Sequence, residues 1–147
     1  MGREELIKQL KKDLSILEKR KDILAVLLFG SRLFPEYVTN RSDIDICVVA
    51  PNVKNHFDLQ LELYRLVRND KCDIKVFELL PLYLKIEIIK NHEIIFARNK
   101  LNLYEYFYFY RKLWKDQEYR NTFTKEDHKR WIQKMREKLH QLNLEKE

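Results

Sequence analysis

Apolar residues recur along this chain with two different periods, and the switches between them lay out its elements. Leu6, Leu10, Leu14 and Leu17 carry the first stretch, with Ile7 and Ile16 nearby and Lys and Glu between them. That is helical spacing, and it predicts one amphipathic helix over residues 3 to about 20, packed on a sheet. Lys19-Arg20-Lys21-Asp22 breaks the pattern. The apolar run 23–29 reads as a strand and stops abruptly at Gly30-Ser31, where a turn into a short helix is expected. An irregular segment follows, and Asp43-Ile44-Asp45 opens a second apolar run that ends at Pro51-Asn52.

Residues 55–68 read as a helix with Phe57, Leu61, Tyr64 and Val67 on or near its inner face. Residues 71–78 alternate as a strand rich in β-branched side chains. Pro81 favours the first turn of a helix running to about residue 90, and residues 93–97 make a short strand. Residues 101–119 carry aromatics on all sides of a helix. A single buried stripe needs only Leu103, Tyr106, Phe107, Tyr110 and Trp114. The surplus, Tyr104, Tyr108 and Phe109, either packs on another surface or stays exposed as a partner interface. Thr124 reads as the cap of a last helix with an acidic first turn, whose apolar residues are Trp131, Met135, Leu139 and Leu142. That helix either packs back or docks on a second copy of the chain.

Composition narrows the class without changing this layout. The 147 residues are 45% hydrophobic and 35% charged, which suits one globular domain rather than a disordered chain. No apolar run approaches the roughly 20 residues that span a bilayer, so no membrane is expected. The charged start, Met1-Gly2-Arg3-Glu4-Glu5, is unlike a secretory signal, and the expected location is the cytoplasm. Cys47 and Cys72 fall in or beside strands and read as buried thiols. The four histidines are scattered, so zinc chemistry is not expected. The formal net charge of +6 invites a nucleic-acid reading, but lysines spread over solvated helix faces account for it. A polyanionic nucleotide would also suit that charge.

The chemistry concentrates around the first turn. Gly30 has no Cβ and lets backbone approach a ligand closely. Ser31 stands where a helix begins, so its hydroxyl and free N–H groups suit phosphate oxygens. Asp43 and Asp45, two apart on a strand, place their carboxylates on one face about 6.5–7 Å apart at Cα. That separation suits two divalent cations about 3.5–4 Å apart, as in two-metal phosphoryl transfer. Together these residues describe a site for a metal nucleoside triphosphate.

Gly30-Ser31-Arg32, a spacer, and Ser42-Asp43-Ile44-Asp45 resemble the nucleotidyltransferase fold of the DNA polymerase β superfamily. Within it they look most like the minimal nucleotidyltransferases, small antitoxin-type proteins encoded beside HEPN-domain partners. The resemblance covers roughly residues 20–100. The eleven-residue spacer between Ser31 and Asp43 is one longer than usual, and Leu33-Phe34-Pro35-Glu36 lacks the glycine that commonly follows. The resemblance implies an α/β (α+β) fold, with a small mixed sheet flanked by helices. Residues 1–100 would be its core and 101–147 a C-terminal helical extension of the same domain. It implies transfer of AMP from ATP to a hydroxyl, with a tyrosine of a HEPN ribonuclease toxin as the expected acceptor and the chain as antitoxin. Asp43, Asp45 and Asp73 would be the catalytic, metal-holding acids for two Mg²⁺ (or Mn²⁺). Asp73, on the strand after the 55–68 helix, would also take the hydroxyl proton. Gly30, Ser31 and Arg32 would bind the nucleotide. Lys75 shares the face of Asp73 and could touch a phosphate. The HEPN signature, Arg-x4-6-His, does not occur in this chain, so it is not the toxin. A different class of function is a non-catalytic module of the same fold that blocks a partner by contact. An antibiotic nucleotidyltransferase would need a large acceptor domain, for which 147 residues leave little room.

Overall fold

The computed structural model describes residues 2–33, 44–67, 71–120 and 125–145. Asp43, the loop at 38–41 and the expected cap Thr124 lie outside the described residues. The chain runs α1 (Arg3–Asp13), α2 (Ser15–Glu18), β1 (Ala25–Phe29), a 3-10 turn (Gly30–Leu33), β2 (Ile44–Val49) and α3 (His56–Leu66). It continues through β3 (Cys72–Val76), a second 3-10 turn (Phe77–Leu79), α4 (Leu82–Lys90), β4 (Glu93–Ala97), α5 (Lys100–Arg120) and α6 (Lys125–Glu145). The helix expected over residues 3–20 is therefore two, divided at Leu14. Leu6, Leu10, Leu14 and Leu17 are buried all the same, because the break preserves their common face.

Among the described residues four strands form one mixed sheet in the order β3-β2-β1-β4. β1 is antiparallel to both β2 and β4, and β2 is parallel to β3. A parallel pair needs a crossover, and α3 supplies it. Val26, Leu28, Ile44, Ile46, Val48, Ile74 and Val76 face a core completed by the α1–α2 leucines and by Leu59 and Leu63 of α3. The alternate residues Ala25, Leu27, Phe29, Cys47 and Val49 are also buried and point to the opposite face. A central strand buried on both sides reads as an unbroken apolar run, as residues 23–29 do.

One expected face is wrong. Phe57, Leu61 and Tyr64 do not point inward; they are 71%, 56% and 59% exposed. Leu59 and Leu63 are buried instead. Two apolar stripes wind around α3, and the one that can reach the sheet is set by the start of the helix. Asn55 fixes that start, its side chain accepting from the backbone N–H of Phe57 and Asp58. The same rotation aims Gln60 at the outer edge of β3. Its amide donates to the carbonyl of Ile74 at 2.7 Å and accepts from the N–H of Val76 at 2.9 Å. Gln60 thus stands in for a missing neighbour strand and covers part of an exposed edge.

In α5 the expected stripe holds: Leu103 and Phe107 are buried, Tyr106, Tyr110 and Trp114 half-buried, and Tyr104, Tyr108 and Phe109 exposed. Phe77 lies 5.7 Å from Phe107 and 5.4 Å from Tyr110 between ring centroids. Contacts divide the chain into two compact units, one up to Arg111 and one from Lys112, with the boundary inside α5. In the second unit, Trp131, Met135, Leu139 and Leu142 form an exposed apolar stripe along α6. Among the described residues no helix is long and apolar enough to cross a membrane.

Candidate active site

The end of β1 and the starts of β2 and β3 bring the chemistry together. Antiparallel register sets Phe29 opposite Asp45, and parallel register sets Asp45 beside Asp73. Register partners share a face of the sheet, so the two carboxylates project side by side from neighbouring strands. They project from the face opposite Ile44, Ile46 and Ile74, which anchor both strands in the core.

Gly30 follows β1 directly and has φ of +80°, a conformation that side-chain-bearing residues rarely adopt. A Cβ built there would lie 2.3 Å from Oδ2 of Asp45. The glycine is thus needed twice, for its backbone angle and for the space the carboxylate occupies. Its role begins with Asp45, before any ligand is considered. Ser31 and Arg32 follow in the 3-10 turn Gly30–Leu33.

Arg3, which carries no signal in a Lys- and Glu-rich first helix, braces this turn. Its guanidinium donates to the carbonyl of Leu33 and pairs with Glu93 at 3.0 Å. Lys75 stands next to the buried Cys47 in register and directs its ammonium back to Oδ2 of Asp73, 3.6 Å away. Both side chains of that pair are 40% exposed.

The donor set suits a hard divalent cation. Asp45 and Asp73 offer carboxylate oxygens, which Mg²⁺ and Mn²⁺ prefer. Among the described residues no group of three His, Cys, Asp or Glu comes together as a metal site, and Asp43 lies outside them. The structure thus joins Gly30, Asp45, Asp73 and Lys75 of the expected residues and adds Arg3.

The opposite ends of the strands are polar but differently arranged. A cleft of about 640 Å³ there is lined by residues that include Lys21, Asn52, Arg98, Asn102 and Tyr106. Arg98 is committed to the carbonyls of Glu18, Arg20 and Ile23. Nearby, the nearly buried Glu78 accepts from the N–H of Ala50 and the hydroxyl of Tyr106. Burial pushes the Tyr106 phenol well up from its ordinary range. Burial likewise raises the Cys47 thiol and moves Cys72 up to about 11; both are free cysteines.

Residues 11–101 match the family model described as polymerase beta, nucleotidyltransferase. The chain belongs to that family. It is also 47% identical over 98 residues to a Methanocaldococcus jannaschii protein named "Putative protein adenylyltransferase MJ1547", covering 67% of this chain and 75% of that one. Its fold is that of a toxin–antitoxin crystal structure with AMP-PNP, at a TM-score of 0.55 and 17% identity over 78% of this chain and 90% of that one. A complex of tri-AMPylated Shewanella oneidensis HEPN toxin with MNT antitoxin gives 0.53 and 15%, over 78% and 87%. The chain is a nucleotidyltransferase, and its mixed four-stranded sheet with flanking helices is the fold of that family. The turn and the acid pair lie within the matched segment.

Proposed function

We propose that this nucleotidyltransferase moves AMP from ATP to a hydroxyl of a protein, and that the acceptor is a tyrosine of a HEPN ribonuclease toxin. The observation that carries the reading is the register of Asp45 with Asp73 beside a positive-φ glycine. The adenylyltransferase name of the relative and the antitoxin neighbours support the substrate and the partner.

Asp45 and Asp73, with Asp43, would hold two Mg²⁺ ions. Bound there, the ions would neutralise phosphate charge and lower the pKa of the attacking hydroxyl. The 3-10 turn at Gly30–Leu33 would take the outer phosphates, using backbone N–H groups, Ser31 and Arg32. The acceptor oxygen bonds to the α-phosphorus of ATP as the bond to the bridging oxygen breaks. Pyrophosphate leaves with the electron pair, and the hydroxyl proton passes to the Asp73 carboxylate. The reaction belongs in the cytoplasm, where ATP and such a toxin would meet.

The exposed aromatics of α5 and the apolar stripe of α6 offer surface for the toxin or for a second copy of the chain. Titrating ATP into the protein tests the nucleotide reading. Binding is expected only with Mg²⁺ or Mn²⁺ present, and it should vanish in Asp43→Asn with Asp45→Asn. Thermal stability of that variant should hold or rise, because removing clustered like charges relieves repulsion. Unchanged ATP affinity would remove the acids from the site. A partner silenced by contact alone would be released on dilution, whereas AMP transfer would leave inhibition that persists.

A further inference from the structure

Lys75 is placed where a metal-binding face would ordinarily exclude a cation. It follows Asp73 by two residues on the same face of β3, and its ammonium lies 3.6 Å from the carboxylate. Among the described residues its one lateral sheet neighbour is the buried Cys47 of β2, because the sheet order ends at β3. Its four-carbon stem is half exposed, so the ammonium can swing without disturbing the core. A positive charge at that distance opposes any cation that approaches Asp73, and a polyanion attracts it.

We propose that Lys75 is an exchangeable counter-ion of the site, pairing with Asp73 until the metal nucleotide arrives and then turning to its phosphates. This rests on the acid face being the nucleotide site. Asp73 is then never left as an unpaired carboxylate, and the metal alone binds weakly. Metal and nucleotide together displace the lysine, whose charge remains on the same face to meet the triphosphate. Lys75 is a positioning residue for Asp73 in the first state and a substrate contact in the second.

The two states make opposite demands on one substitution. Mn²⁺ binding to the full chain without nucleotide is read by electron paramagnetic resonance, and ATP binding in saturating Mg²⁺ by calorimetry. Lys75→Met should bind Mn²⁺ about twofold to fivefold more tightly than wild type, the range of a half-exposed ion pair. The same variant should bind ATP with Mg²⁺ about fivefold more weakly and raise KM more than it lowers kcat. Lys75→Arg should restore both values towards wild type. Asp73→Asn should abolish the effect of Lys75→Met on Mn²⁺. A merely structural lysine would weaken both bindings together.

Unchanged or weaker Mn²⁺ binding in Lys75→Met would overturn the proposal, as would tighter Mn²⁺ binding with undiminished ATP affinity. Should Lys75→Met fold poorly, Lys75→Gln carries the same comparison. A wild type that binds neither Mn²⁺ nor ATP at this face would overturn the site itself along with the lysine. Normal wild-type binding with Lys75→Met unchanged would overturn the lysine alone.

Discussion

Gly30 shows how one residue ties backbone geometry to chemistry. Replacing it with Ala adds a methyl group that collides with Asp45 and holds a side-chain residue at φ of +80°. A strained position of this kind costs on the order of 1–3 kcal/mol. Gly30→Ala should therefore lower the thermal midpoint and weaken ATP binding together, and a differential scan with calorimetry reads both. An unshifted midpoint would mean the turn relaxes freely. Asp73→Asn should behave differently, since its carboxylate is half exposed. Transfer should fall about 10²-fold or more, as for loss of a general base, with the midpoint nearly unchanged. Single-turnover transfer of labelled AMP measures it. Gly30 and Asp45 were legible as local signals, a glycine ending an apolar run and an acid opening the next strand, whereas Asp73 took its expected role from the family resemblance. Lys75 was legible as a neighbour of Asp73 on one strand face, but Arg3 was not, because a contact between residues distant in the chain leaves no period.

At the scale of the element, α3 is the clearest case. Its strand-helix-strand placement was legible, but its inner face was not, since Phe57, Leu61 and Tyr64 have the same helical spacing as the buried Leu59 and Leu63. The capping side chain of Asn55 and the β3 edge that Gln60 covers decide between the two. Leu63→Ala should cost about 2–5 kcal/mol in denaturant unfolding, the range for a buried leucine. Leu61→Ala should stay within about 0.5 kcal/mol, as a surface change does. Equal costs would return Leu61 to the core. β4 was read correctly from its short apolar run, and in α5 the expected stripe is the buried one while the surplus aromatics Tyr104, Tyr108 and Phe109 are exposed.

For the whole molecule, burial of ionisable groups sets a pH limit. Cys47, Cys72 and Tyr106 all hold their protons more tightly in the folded chain than their ordinary values imply. The unfolded thiols ionise from about pH 9, while folded Cys72 waits until about 11. Above 9 the unfolded chain therefore binds fewer protons than the native one, so stability falls as pH rises. The contribution is fully present below 9 and is lost progressively as pH rises through 11. Thermal midpoints from pH 8 to 11 should fall, and Cys72→Ala should flatten the slope; an equal slope would remove Cys72 from the cause.

The central claim is that three acids and a turn transfer AMP to a protein partner. The direct measurement is the intact mass of a candidate HEPN partner after incubation with this chain, ATP and Mg²⁺. One or more added AMP masses are expected, and none with Asp45→Asn. An unmodified partner, silenced equally by wild type and by Asp45→Asn, would contradict the account and leave contact through α5 as the mode of action.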